Sequence, residues 1–325
     1  MEIIHGYRDL RRELSHPTVV LGNFDGLHRG HQALLAEATQ AASTRGGEAV
    51  VYTFEPHPAR VLAPELAPAL LTTPARKLEL IAARGIDVCV LEPFTRELAD
   101  MPAESFLDEV VLGALRPAQL VVGYDFGFGQ GRRGNADTLR EFGERHGIGT
   151  RVVQPVAVRG LVASSTKIRE FVRAGNMPGA RLLLDRDFEV EGQVVRGAAR
   201  GKDIGFPTAN IEPETELLPA SGVYAVTVRI MDGGAAEREL LGAANIGTNP
   251  TFETEGKLTV EVHILDWDGD LYGRRLRVGF AERLRPEHRY QGVDSLVAQM
   301  REDVRQARAI LGARRGPGEE RPGHG

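Results

Sequence analysis

At 325 residues the chain is too long for one average domain and suits two. A composition 42% hydrophobic and 26% charged can bury a core in each, which excludes a fibrous chain and global disorder. Forty Lys and Arg against 45 Asp and Glu leave a formal charge of -5, a poor footprint for a dedicated nucleic-acid binder, so any anionic ligand must be met locally. The single cysteine, Cys89, lies in the apolar run 86–91 and reads as a core thiol; no intrachain disulfide or multi-cysteine zinc site can form. The segment MEIIHGYRDLRREL lacks the apolar core of a secretory signal, and no apolar stretch of about 18 residues could span a bilayer. The expectation is a cytoplasmic protein whose partners are small molecules, with neither nucleic acid nor membrane among them and room for weak self-association.

In chain order, short apolar runs at 18–21, 49–54, 86–91, 120–124 and 151–156 alternate with segments of helical spacing. The helices are expected after Arg29, Pro74, Pro102, Ala136 and Ser165. That alternation predicts an α/β domain with a parallel sheet over residues 1–186. Beyond Asp187, strand-like runs at 188–195, 222–231, 240–246, 258–265 and 276–283 are separated by Gly, Asn and Pro, which predicts a small antiparallel barrel or sandwich over 187–312. Val293, Leu296, Val297, Met300, Val304, Ala307 and Leu311 fall three or four apart and predict a closing helix with a core-facing stripe. The ending 313–325 has no apolar period and reads as a disordered tail.

The first candidate site follows the first of these strands, where Gly22, Asn23, Phe24, Asp25, Gly26 and Leu27 lead into His28-Arg29-Gly30-His31 at a helix start. In an open α/β sheet, ligands collect beyond the carboxyl ends of strands, where helix N-termini offer unpaired N–H groups to phosphate. Histidines three apart project from one helix face and could stabilise charge on a phosphoryl group in flight. The same residues also suit a helix cap with incidental histidines, or half of a metal site completed by His57. Ser164-Ser165-Thr166-Lys167-Ile168-Arg169, at a later sheet-to-helix junction, offers hydroxyls followed by cations to a polyphosphate, or simply an N-cap. Gly129 to Gly134 matches G-x-G-x-x-G only formally, and the loop from Gly197 to Asp203 is one residue short of a P-loop, so both are set aside.

In the second region GQVVRGAARGKDIGFPTAN, residues 192–210, reads as a strand, a glycine-spaced loop and a Pro-fixed turn. If that turn continues as a strand, Thr208 and Asn210 share a face and offer two oxygens to a magnesium ion; a plain Gly-rich hairpin is the alternative. A glutamate such as Glu261 on a strand is, from alternation alone, a solvated outward side chain.

Taken together, His28-Arg29-Gly30-His31, Thr53-Phe54-Glu55-Pro56-His57-Pro58, the Gly123 to Gly129 block and the Ser164 to Arg169 block resemble the HxGH nucleotidylyltransferases, in the form of the FMN adenylyltransferase module of bacterial bifunctional riboflavin kinase/FAD synthetases. Pro207-Thr208-Ala209-Asn210, Gly222-Val223-Tyr224, the block 245–252, Glu261-Val262-His263 and Asp270-Leu271-Tyr272-Gly273 resemble the riboflavin kinase domain of the same family. The resemblance implies ATP-dependent phosphorylation of riboflavin to FMN in the barrel and adenylylation of FMN to FAD, with release of pyrophosphate, in a Rossmann-like N-terminal domain. Both steps would use Mg2+. It further implies that Gly22, Asn23, Phe24 and Gly26 with His28, His31, Ser164, Ser165, Thr166 and Arg169 serve ATP, and that Asp125 and Phe128 lie in the flavin region; Phe128 also suits a plain core position. In the barrel it implies phosphate contacts from Gly197, Gly201, Lys202, Gly205, Pro207 and Thr208, metal ligation by Thr208 and Asn210, and Glu261 as the base. The adenylyl acceptor is already an anionic phosphate and needs no base, whereas a ribityl hydroxyl does. Rival readings are a nucleotidylyltransferase for a different phosphate and a flavin-binding regulator without turnover. Three positions depart from the family's pattern: Gly127 where Arg is frequent, Lys202 where the flap carries Arg, and Asp185 where Gly is common. The change at 202 keeps charge but loses a bidentate fork.

Overall fold

The computed structural model describes residues 1–197, 205–231, 239–248, 258–288 and 290–314. They form two compact units, Met1–Leu70 with Pro74–Ser165 and Leu71–Thr73 with Thr166–Gly325.

The first unit holds a parallel sheet of β1 (Glu2–His5), β2 (Thr18–Leu21), β3 (Ala49–Glu55), β4 (Val88–Pro93), β5 (Gln119–Gly123) and β8 (Gly149–Val153), in the order β1-β4-β3-β2-β5-β8. Two short strands, β6 (Gly127–Phe128) and β7 (Gly134–Asn135), pair as a separate ribbon. Because side chains alternate along a strand, Val19, Leu21, Val50, Tyr52, Val88, Val90, Leu120 and Val122 pack on one face, against the helical segment Phe106–Leu115 and Leu139 and Phe142. Val20, Val51, Cys89 and Val121 pack on the other, against Leu34, Leu35 and Ala38 of helix Arg29–Arg45. A sheet covered on both faces explains why these strands read as continuous apolar runs. Cys89 is a buried free thiol, and burial pushes its pKa up to about 12, so the core-thiol reading agrees with its surroundings.

The chain steps from β2 to β3 to β4 on one side and then crosses to β5 on the other side of β2. That reversal makes the carboxyl ends of β2 and β5 the crevice where an open sheet binds ligands. Three details differ from the sequence reading. β1 was not expected, because as an edge strand it buries only Ile4. The third expected strand starts at Val88, since Asp87 closes the preceding turn by accepting from Ala49 N at 2.8 Å. The last ends at Val153, two residues before Pro155, which has no N–H for the ladder. The helix after Pro102 widens at Phe106 to i→i+5 bonding and closes with Arg116 N donating to Val111 O at 2.8 Å.

A small antiparallel ribbon, β9 (Ala157–Val158) with β10 (Leu161–Val162), precedes helices Ser165–Arg173 and Met177–Leu184. The packing division falls at Ser165, some way before the sequence division at 186. Helix Met177–Leu184 packs on the barrel strands, and Ala220 N donates to Val172 O at 3.3 Å.

The barrel closes as β11 (Phe188–Val195), β12 (Ala209–Pro213), β15 (Leu258–Ile264), β14 (Leu240–Thr248), β13 (Gly222–Ile230) and β16 (Arg275–Arg285). Phe188, Val190, Tyr224, Val226, Val260, Val262, Val278 and Phe280 are all buried, each aliphatic side chain stabilising by about 1.5–3 kcal/mol. The turn after Pro207 does continue as strand β12, which supplies the sixth wall and closes the sheet. The terminal helix Val293–Arg314 buries Asp303, Ala307 and Leu311, whereas Val293 is exposed. Its stripe is core only at the carboxyl half, where Ala307 and Leu311 meet Ala225 and Ala281 on the barrel. Asp303 joins this line because Arg285 grips both its oxygens, at 2.9 and 2.8 Å. The expected tail from 315 onward lies outside the described residues.

On the outside of the barrel Glu191 and Arg277 form a buried pair at 2.6 Å, with Thr73 Oγ1 donating to the second carboxylate oxygen at 2.7 Å. Glu191→Gln removes the carboxylate that Arg277 holds at 2.6 Å in a buried setting and is expected to cost about 3–5 kcal/mol. Equilibrium urea unfolding followed by the single tryptophan, Trp267 of the barrel unit, checks this; a loss below about 1 kcal/mol would mean water replaces the carboxylate.

Candidate functional sites

The loop after β2 is tightly folded. Phe24 and Leu27 hold left-handed backbone (φ 53 and 40) around Gly26 (φ 76), and both side chains are fully buried. Such conformations cost about 1–2 kcal/mol for a non-glycine residue, so the burial of Phe24 and Leu27 is what holds them. Gly22 N donates to Tyr52 O at 3.2 Å and Thr53 Oγ1 to Asn23 O at 3.3 Å, tying the loop to β3. His28 caps helix Arg29–Arg45, its Nδ1 accepting from His31 N at 3.4 Å. A neutral His28 therefore carries its proton on Nε2, where it can donate. The His28 and His31 rings stack with centroids 3.7 Å apart, and Phe24 meets His31 edge-on at 5.3 Å. Gly30 permits this fold-back: a Cβ there would lie 3.0 Å from His28 Cε1.

His31 keeps part of its surface exposed, but its Nδ1 is buried and has no hydrogen-bond partner among the described residues. Burial, then the neighbouring His28, lowers its pKa well below 6.5, so His31 is neutral at neutral pH. The unfolded chain binds the proton more tightly. Stability from this site is therefore fully present above about pH 6.5 and is lost as pH falls from there toward the folded pKa. A comparison of unfolding midpoints at about pH 7.5 and 5.5 checks this: the parent protein should lose more stability on acidification than His31→Gln, and equal losses would contradict it.

Ser165 Oγ donates to Asp25 O at 3.0 Å, which brings the Ser164-Ser165 junction onto the histidine loop. Thr166 and Arg169 follow on helix Ser165–Arg173, in the part that packs with the second unit; Arg169 is buried, and Lys167 pairs with Glu170 at 2.6 Å. His57 Nδ1 accepts from Ala59 N at 3.2 Å, so it caps the helix Pro58–Leu62. Among the described residues no group of three His, Cys, Asp or Glu is arranged to hold a metal. Beyond β5, Tyr124 and Asp125 are exposed. Phe128 is built into the core against Phe106 at 5.4 Å, in keeping with the core alternative, while half-buried Phe126 stacks on it at 5.8 Å. Sequence reasoning missed Lys77: buried at the end of β3, it donates to Phe54 O at 2.8 Å with Glu55 at 3.6 Å, and burial lowers its pKa. Nothing in an amphipathic helix pattern separates such a lysine from a solvated one.

In the barrel, register assembles the second site. Glu261 of β15 lies directly opposite Asn210 of β12 and Asn245 of β14. Directly opposed residues share a face, and since Val260 and Val262 fill the interior, this row lies on the outside. Gly197 lies against Asn210, where a Cβ would come within 2.1–2.5 Å of the amide group. Gly205 has φ 81, and the Pro207 carbonyl is 2.8 Å from His263 Nδ1, which fixes the approach of Thr208 to β12. Gly201 and Lys202 lie outside the described residues. Asn245 was part of a recognised block, but its place beside Glu261 depends on strand register that only the closed barrel supplies.

Residues 11–167 match the FAD synthetase family and residues 184–311 the riboflavin kinase family. The chain is 38% identical over 310 residues to a bifunctional riboflavin kinase/FMN adenylyltransferase of Pseudomonas fluorescens, covering 95% of this chain and 98% of that one. It is 37% identical over 313 residues to the Escherichia coli (strain K12) protein of that name, covering 96% and 98%. Among solved structures, that of a macrolide-efflux protein from Streptococcus pneumoniae superposes with a TM-score of 0.84 at 31% identity, covering 95% and 99% of the two chains. No described helix is long and apolar enough to cross a membrane. The chain belongs to the bifunctional riboflavin kinase/FMN adenylyltransferase family and joins both activities of flavin cofactor biosynthesis in one polypeptide.

Proposed function

We propose that Gly22, Asn23, Phe24 and Gly26 with His28, His31, Ser164, Ser165, Thr166 and Arg169 bind ATP for adenylyl transfer to FMN, and that the row of Asn210 and Glu261 phosphorylates riboflavin. The observation that carries the first assignment is the stacked histidine pair at a helix N-terminus, with a buried His31 Nδ1 that has no hydrogen-bond partner among the described residues. There the backbone N–H groups and the His28 donor face a developing phosphate charge, and the attacking FMN phosphate is already ionised, so positioning and charge stabilisation suffice. The loop beyond β5, with Asp125 and Phe128, takes the flavin side of the crevice.

In the barrel, Glu261 accepts the proton of the ribityl 5'-hydroxyl as that oxygen attacks the γ-phosphate of ATP. Gly197, Gly205 and Pro207 shape the loop over the phosphates, and Gly201 and Lys202 belong to the same loop in sequence. The Thr208 hydroxyl and Asn210 amide oxygen would hold a magnesium ion, a hard cation that takes oxygen ligands and commonly only one or two from protein beside the phosphates. When bound, it neutralises phosphate charge. The test is separation of the two activities by substitution at His28 and at Glu261, each variant read for both products.

A further inference from the structure

Gly127 opens β6, and Arg132 lies in the tight connection that leads from β6 to β7. The connection turns back sharply: Gly129, Gly131 and Arg132 all hold left-handed backbone, with φ 69, 62 and 56. For arginine that conformation costs about 1–2 kcal/mol, and the turn is held by Arg132 N donating to Gly129 O at 3.0 Å and Gln130 N to Met101 O at 2.8 Å. The result is that the Arg132 side chain folds over Gly127. A Cβ at Gly127 would lie 2.9 Å from Arg132 Nε and 3.0 Å from Nη2, so the guanidinium occupies the room a side chain at 127 would take. Arg132 Nη2 donates to Asp125 O at 3.0 Å, the one hydrogen bond of its side chain among the described residues, and Arg132 is otherwise exposed. Asp125 is two residues beyond the end of β5, at the crevice where the sheet order reverses. The guanidinium therefore stands, with most of its donor fork turned to solvent, at the mouth of the crevice that receives two phosphate-bearing substrates.

We infer that Arg132 binds the phosphate of FMN and brings it to the adenylyl centre. This rests on the reading that the loop beyond β5 takes FMN. An anionic acceptor must approach an anionic nucleotide, and the loop after β2, residues 22–27, has Asp25 as its one charged side chain, so cationic help for the acceptor must come from elsewhere around the crevice. A planar guanidinium matches phosphate oxygens bidentately, which an ammonium does not.

The experiment is steady-state adenylylation by the full-length chain carrying Arg132→Ala, Arg132→Lys, Gly127→Arg with Arg132→Ala, and Asp125→Ala. Arg132→Ala should raise the KM for FMN about tenfold or more, with kcat, the KM for ATP and riboflavin phosphorylation unchanged. Lysine should recover part of the loss. Arginine placed at 127 should restore the KM in the Arg132→Ala background, which a merely structural role of Arg132 would not allow. An unchanged KM for FMN in Arg132→Ala, or failure of the arginine at 127 to restore it, overturns the inference. If Asp125→Ala raises that KM and Arg132→Ala does not, only the role of Arg132 falls; if neither does, the placement of FMN beyond β5 falls with it.

Discussion

His28→Ala lowers FAD formation by about a hundredfold to a thousandfold and leaves FMN formation at the parental rate; that is the expected result for a preorganised donor aimed at charge that develops in the transition state. Several features lead there together. His28 is the cap of helix Arg29–Arg45, so its ring is held at the positive end of the helix dipole. It stacks on His31 at 3.7 Å, and Gly30 leaves no side chain between the ring and the helix. His31 is neutral, so the pair acts through oriented N–H donors more than through net charge. Assays of both products on the same purified variant check the prediction. Equal loss of both activities in a folded protein would mean that the two reactions share this site.

Glu261→Gln produces the reverse pattern: FMN formation from riboflavin falls about 10²–10⁴-fold, the range for loss of a general base, while FMN supplied from outside is still converted to FAD. Glutamine keeps the shape of the side chain between Asn210 and Asn245 and removes only its proton-accepting charge. A KM for riboflavin that stays near the parental value, with the whole loss in kcat, is the signature of a residue that acts on the proton rather than on binding. A rise in KM with kcat unchanged would assign Glu261 to substrate binding instead.

The fold was readable where burial imposes a simple period. The central strands 18–21 and 49–54 and the barrel strands 188–195 and 222–231 declare themselves as apolar runs, because both faces of the sheet and the barrel interior must be filled. β1 was not readable, since a strand that buries Ile4 alone differs little from a loop. The closing helix was readable as a helix but not in its depth of burial: Val293 of the expected stripe is exposed, while the ion pair with Arg285 buries Asp303, a carboxylate outside that stripe. Of the sites, motifs named His28, His31, Asn210 and Glu261, but the relations among residues come from tertiary structure. The stack of His28 on His31, the bond from Ser165 to Asp25, and the row of Asn210, Glu261 and Asn245 all depend on loop closure or strand register. Gly127 shows the same limit. In sequence it is a missing side chain; in the structure its place is filled by Arg132, reached through a left-handed turn that no local pattern announces.

The most direct test of two reactions in one chain is a time course of the purified protein with riboflavin, ATP and magnesium, the three flavins being separated chromatographically. FMN should rise first and FAD later, at the expense of FMN. FMN that accumulates without FAD, or an absence of both products, would contradict the account.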